Sequence, residues 1–133
     1  MFAKASMNFN KSNFHLKNIK SLLRQLASTG NLDTTTIIKF LHKTEKMTVI
    51  APEESEKIAK HLLDLSIKAN YNSGIMSASM LVGRLYQQKG NYSSSKTMAK
   101  RVIKLASKLG DSFMLRSANI LLGNTYFAQN DYD

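Results

Sequence analysis

Apolar residues recur at helical spacing along most of the chain. The spacing i, i+4, i+7, i+11 occurs twice, at Ile58, Leu62, Leu65 and Ala69 and again at Met98, Val102, Leu105 and Leu109. Because this spacing places the apolar side chains on one face of an α-helix, both segments are predicted to be amphipathic helices. The chain has only one proline and six glycines, which are too few to separate many short strands. An all-α protein is therefore expected.

Further helices are predicted at residues 14–28, 32–48, 73–89 and 112–129, with turn residues between them. Asp33 and Thr34 form a plausible N-cap for the helix over residues 32–48. Gly90-Asn91 and Gly110 are predicted to end helices, because glycine tolerates the left-handed conformation common after a last helical turn. The predicted order is about six helices with no sheet.

An internal repeat indicates how these helices are arranged. Residues 53–93 laid over residues 93–133 match at a constant offset of 40, with 11 identities in 41 positions. The identical pairs include Ala59/Ala99, Leu65/Leu105, Ala78/Ala118, Leu81/Leu121, Gly83/Gly123 and Tyr86/Tyr126. A fixed period of this size is typical of solenoids built from stacked helices.

The repeat resembles the tetratricopeptide repeat (TPR). The matching residues are Val82-Gly83, Tyr86, Gly90 and Tyr92 in one unit, and Leu122-Gly123, Tyr126 and Tyr132 in the next. The family's usual period is about 34 residues, so the offset of 40 is similar to its longer-helix variants. The resemblance implies an antiparallel helix-hairpin solenoid that binds a peptide or protein segment and has no enzymatic activity.

The resemblance divides the chain into three parts. Residues 1–11 are expected to be a frayed N-terminus, and residues 12–50 an N-terminal helical hairpin that acts as a cap. Residues 51–133 contain about one and a half to two TPR-like units, of which the last is incomplete. Within the cap, Leu41 aligns with Leu81 and Leu121 when the offset of 40 is applied once more.

The last predicted helix has no successor within the sequence. A terminal repeat helix leaves apolar side chains uncovered. Ile120, Leu121 and Phe127 are therefore candidates for contact with a longer parent chain or with a second copy.

The resemblance also implies where a partner binds. In TPR-like arrays the first helix of each unit lines the concave surface, and the residues at those positions are Ser77, Met80, Arg84, Gln87, Ser117, Ile120, Asn124 and Phe127. Arg84 and Asn124 are equivalent positions that are suited to a carboxylate and to a peptide backbone, respectively. A solvated polar face is the alternative interpretation of the same residues.

The charge is strongly positive, at +10, which favours acidic partners. One helix carries a basic stripe without an acidic residue from position 91 to 109, at Lys96, Lys100, Arg101, Lys104 and Lys108. The equivalent helix of the preceding unit has Glu56 and Asp64 among its charges, so the repeat itself does not require the stripe. A solvated face is the simplest interpretation, and an acidic protein surface or nucleic acid is the alternative.

Residues 13–48 suggest a second possible function. The Thr-rich start at residues 34–36, followed by Ile, Leu and Lys, is similar to a winged-helix recognition helix. Lys39, Lys43 and Lys46 would then contact nucleic acid. Only one predicted helix precedes this segment, so a capping hairpin is favoured over a nucleic-acid-binding regulator.

Several classes of function find no support in the sequence. The chain has no cysteine, and His15, His42 and His61 lie on separate predicted helices without catalytic or metal-binding partners nearby in sequence. Neither an enzyme nor a metal or cofactor site is therefore expected. The sequence contains no predicted signal peptide or membrane span. A cytoplasmic location is the resulting expectation.

Overall fold

The computed structural model describes residues 33–130 and four earlier positions, Lys17, Lys20, Ser21 and Arg24. All regular structure within these residues is helical, which confirms the all-α prediction. The helices of residues 33–130 are α1 (Thr34–Met47), α2 (Pro52–Lys68), α3 (Asn72–Gln88), α4 (Tyr92–Leu109) and α5 (Ser112–Asn130). The described helices therefore number five rather than about six. The predicted helix at 14–28 lies outside the described residues apart from those four positions, which are helical, and the predicted frayed segment 1–11 lies entirely outside them.

The helix starts follow local sequence signals. The Asp33 side chain accepts the main-chain N–H of Thr35 at 3.4 Å, which confirms the predicted N-cap of α1. Pro52 begins α2, where its missing N–H costs no hydrogen bond, and two glutamates follow in the first turn. Negative charge at this position interacts favourably with the helix dipole. These signals define the bounds of α1 and α2 without reference to tertiary packing.

Three successive turns share one geometry. Asn70, Gly90 and Gly110, spaced 20 residues apart, have φ values of 51°, 82° and 71°. At each turn the next residue donates its main-chain N–H to the carbonyl five residues earlier, in the pairs Tyr71/Ser66, Asn91/Tyr86 and Asp111/Ala106. This is the bonding of a Schellman-type helix end. The two glycines were predicted to end helices, and asparagine takes the same backbone conformation at the first turn.

The helix boundaries follow the 40-residue period. Helices α2 and α4 begin 40 residues apart, at Pro52 and Tyr92, and α3 and α5 begin 40 residues apart, at Asn72 and Ser112. Equivalent residues are buried alike, as in the pairs Ala59/Ala99, Ala78/Ala118 and Leu81/Leu121. The internal repeat is therefore a repeat of helices as well as of letters.

Helix α1 follows the repeat with a different offset. Its buried residues match those of α3 at a separation of 41, in the pairs Ile37/Ala78, Phe40/Leu81, Leu41/Val82 and Thr44/Leu85. The predicted alignment of Leu41 with Leu81 is therefore wrong by one position. The reason is one additional residue in the connection, since four residues separate α1 from α2 and three separate α3 from α4.

The core consists of two clusters that share α3. The first lies between α1, α2 and α3 and includes Ile37, Leu62 and Val82. The second lies between α3, α4 and α5 and includes Met80, Ala99, Val102, Ala118 and Leu121. Leu121, predicted to be uncovered, is therefore a core residue, because it packs over Gly83 of α3. No helix in the described part of the chain is long and apolar enough to cross a membrane.

Candidate ligand-binding groove

Helices α1, α3 and α5 lie side by side and form a groove. Each helix packs chiefly against its neighbours in the chain, and α3 also contacts both α1 and α5. The groove contains a cavity of about 310 Å³, lined by Ile38, Leu41, His42, Glu45, Ser77, Met80, Leu81, Arg84, Phe113, Met114 and Ser117. All of these residues come from α1, α3 or α5, so α2 and α4 form the opposite side of the molecule.

The floor of the groove is apolar and belongs to the core. Leu41, Met80 and Leu81 are buried there, and Met114 is half-buried beside them. Phe113 stands at the edge with 69% of its surface exposed. Because the floor residues are held by core packing, their positions do not depend on a ligand. The groove can accept apolar side chains without first rearranging.

The rim carries an ion pair between two helices. The Arg84 guanidinium on α3 donates to Glu45 Oε1 on α1 at 3.4 Å, and both side chains are about half exposed. An exposed pair of this kind contributes only about 0–1 kcal/mol. The carboxylate of an incoming ligand can therefore replace Glu45 at Arg84 at little cost. His42 lies one turn before Glu45 on the same rim.

The structure brings together half of the predicted groove residues. Ser77, Met80, Arg84 and Ser117 line the cavity, although Met80 is 95% buried and serves the core as well. Gln87, Ile120, Asn124 and Phe127 are not part of its lining. The equivalent residues Arg84 and Asn124 therefore do not act on one cavity, because α5 is one helix further along the array.

Sequence reasoning missed the contribution of α1 to this site. Ile38, His42 and Glu45 of α1 line the cavity together with the α3 residues. The contact of α1 with α3 supplies this wall. An offset of 41 rather than 40 aligns α1 with α3 and is the signal that could have identified it.

The predicted basic stripe follows α4, away from the groove. Lys100, Arg101, Lys104 and Lys108 are exposed, and no carboxylate of the described residues lies within ion-pair distance of them. Lys96 differs from the other four. It donates to Gln129 Oε1 at 2.9 Å, and its Nζ lies 4.7 Å from the centroid of the Tyr126 ring. Four of the five predicted residues therefore form a free positive surface.

The equivalent surface of the first repeat unit is internally neutralised. Glu56 accepts from Lys60 at 3.2 Å and forms an ion pair with Lys89 at 2.7 Å. Both lysines lie within 5.4 Å of the Tyr86 ring centroid. At the offset of 40, Lys96 replaces Glu56 and Gln129 replaces Lys89. The second unit keeps the contact between lysine and tyrosine but loses the acid.

These contacts shift two pKa values. Burial raises the pKa of the Glu56 carboxyl, but the hydrogen bonds from Lys89 and Lys60 outweigh that effect, and the pKa lies below its usual value. The Tyr86 side chain raises the pKa of Lys60, burial opposes the rise, and Glu56 adds to it. Both groups are therefore charged at neutral pH, and the cluster is a structural one.

Comparison with known proteins adds no further information about this site. No protein-family model matches the chain, and neither the curated proteins nor the solved structures include a significantly similar one. The groove and the basic face of α4 are thus candidate sites on geometry and charge alone.

Proposed function

We propose that this chain is a TPR-like helical-repeat module, an antiparallel helix-hairpin solenoid that binds a peptide or protein segment in the groove of α1, α3 and α5. It acts as a non-enzymatic adaptor or regulatory domain in the cytoplasm. The observation that carries the proposal is the groove itself, in which a buried apolar floor lies beside the exposed guanidinium of Arg84. Repeated helix boundaries and contacts between every second helix support the solenoid arrangement.

The groove favours a ligand with two chemical features. A cavity of about 310 Å³ lies at the lower end of the range for small-molecule sites, so it fits a few side chains of an extended segment. Its floor is formed by leucine and methionine, which suits apolar side chains. Arg84 adds a partner for a carboxylate, either an acidic side chain or a chain terminus.

The basic face of α4 has a supporting role in this proposal. Lys100, Arg101, Lys104 and Lys108 attract acidic partners at long range and increase the rate of encounter. Exposed charges at this distance from the groove contribute more to association rate than to lifetime. Added salt should therefore slow association more than it speeds dissociation.

The test uses a random-sequence peptide library, synthesised once with free carboxyl termini and once with amidated termini. The protein is expected to retain peptides rich in leucine, methionine or phenylalanine that carry a carboxylate. Arg84→Ala should weaken their binding about tenfold or more, since a hydrogen bond to a charged group contributes about 1.5–3 kcal/mol. Arg101→Ala removes the same charge outside the groove and is the matched control.

Two results would contradict the groove as the binding site. In the first, Arg84→Ala and Arg101→Ala weaken peptide binding equally, which would make net charge the only determinant. In the second, the protein ignores the peptides but binds random-sequence duplex DNA with a steep salt dependence. If charge reversal at Lys39, Lys43 and Lys46 of α1, all exposed, then abolishes DNA binding, the nucleic-acid-binding regulator becomes the better interpretation.

A further inference from the structure

Helix α5 exposes a face that its repeat equivalent α3 buries. On α3, Met76, Ser79, Met80 and Gly83 are covered, with α4 and α5 packed against that side. The residues 40 positions later on α5 are Arg116, Asn119, Ile120 and Gly123, and all four are exposed. A Cβ atom at Gly83 would meet Leu121 and Met98, whereas one at Gly123 would meet nothing within 4 Å. The second copy of this packing surface is uncovered.

The exposed residues of α5 form an apolar stripe. Phe113, Ile120 and Phe127 are 69%, 58% and 69% exposed. They are spaced seven residues apart, so they lie on one side of the helix over about 21 Å. Solvent-exposed aromatic side chains at regular spacing are typical of an association surface rather than of scattered surface hydrophobics.

The stripe is symmetric about its central residue. Two α5 helices placed antiparallel, with a two-fold axis at Ile120, bring Phe113 of each copy opposite Phe127 of the other. The same operation places Ser117 opposite Gly123, which are small residues that let two helices approach closely. It places Arg116 opposite Asn124, whose amide oxygen accepts a hydrogen bond. A two-fold interface requires this kind of self-complementarity.

Charge also favours a second copy on this face. The chain carries +10, so two copies repel each other over most of their surface. Helix α5 has 19 residues, of which Arg116 alone is charged. In the antiparallel arrangement the two Arg116 side chains lie at opposite ends of the seam. Like charges therefore do not meet across it.

We propose that two copies of this chain associate as a two-fold dimer through antiparallel α5 helices centred on Ile120. The proposal does not depend on peptide binding. Ile120 is outside the lining of the groove, and Arg84 is outside the dimer seam, so the two proposals can fail separately. Phe113 belongs to both surfaces and is therefore not used to distinguish them.

Sedimentation of the full chain over a range of concentrations provides the first test. The wild-type mass should rise from 14.9 kDa towards twice that value as concentration increases. Ile120→Glu should remain at 14.9 kDa, because two carboxylates would face each other at the axis. Ile50→Glu introduces the same change at a position that is also 58% exposed, in the connection between α1 and α2, and should dimerise like the wild type. Added salt should strengthen the dimer, since it screens the repulsion between the two chains.

A charge-pair experiment tests the antiparallel register. Phe113→Glu and Phe127→Lys should each weaken association when introduced alone. The two changes in one chain should restore it, because each glutamate then faces a lysine of the other copy. A monomeric wild type at all concentrations, a dimer unaffected by Ile120→Glu, or failure of the combined changes to restore association would each overturn the proposal. A monomeric result would instead favour a different helix as the occupant of this face.

Discussion

The two equivalent glycines Gly83 and Gly123 allow one substitution to be compared in two environments. Both lie inside helices, on α3 and α5, and are related by the offset of 40. A Cβ atom at Gly83 would lie 2.9 Å from Leu121 Cδ2 and 3.2 Å from Met98 Cβ. The leucine methyl group can rotate away, but Met98 Cβ is fixed to the backbone of α4. At Gly123 there is open space.

The opposing effects can be estimated separately. Replacing glycine by alanine inside a helix stabilises it by about 0.5–1 kcal/mol through the loss of backbone freedom in the unfolded chain. This gain applies at both sites. At Gly83 the added methyl group also requires α4 to move by a few tenths of an ångström, and overpacking of a core costs about 1–3 kcal/mol. Gly123→Ala should therefore stabilise the fold, and Gly83→Ala should be about 1–3 kcal/mol less stable than Gly123→Ala.

Urea unfolding followed by far-ultraviolet circular dichroism measures this difference. The comparison should be made at a concentration at which the wild type is monomeric, so that association through α5 does not contribute. Gly83→Leu should abolish the folded state, because no movement of the Leu121 side chain makes room for it. Equal free energies for the two alanine variants would show that α4 does not approach α3 at Gly83, and would refute the packing described for the second core cluster.

Three further predictions concern buried or charged groups. Ser55→Ala should be neutral or stabilising, because its buried hydroxyl has no hydrogen-bond partner, whereas Ser95→Ala should cost about 1 kcal/mol by breaking its 3.2 Å hydroxyl pair with Thr125; urea unfolding compares them. Glu56→Gln should lower stability by about 1 kcal/mol at neutral pH. Because the pKa of Glu56 is lowered on folding, this loss should disappear as pH falls through that pKa, which urea midpoints in acid would show. Asp33→Ala should cost about 0.5–2 kcal/mol and shorten the first helix in hydrogen exchange.

The sequence predicted the helices because their signals are local. Apolar spacing identified α2 and α4, and glycine identified two of the three left-handed turns. The third turn, at Asn70, lacked a glycine and carried no equally strong signal. The offset of 40 predicted equivalent burial for Leu81 and Leu121, which the structure confirms.

The groove was harder to predict because it depends on contacts between distant residues. Arg84 pairs with Glu45, 39 positions earlier, and neither residue has a pattern that indicates the other. Alignment of α1 required the length of one connection, which periodicity within helices does not report. The exposure of Ile120 next to the buried Leu121 likewise depends on which face of α5 receives a neighbour.

The differences between the two repeat units separate what the fold requires from what it tolerates. At contacts between helices the units agree, with alanine at 59 and 99 and again at 78 and 118. On the outer helix they diverge, since Lys96 stands where the first unit has Glu56, although a lysine contacts a tyrosine ring in both. Packing is therefore compatible with either charge at this position. The excess positive charge of α4 is consequently a property of its surface, and changes there should alter association with partners while leaving the helix packing intact.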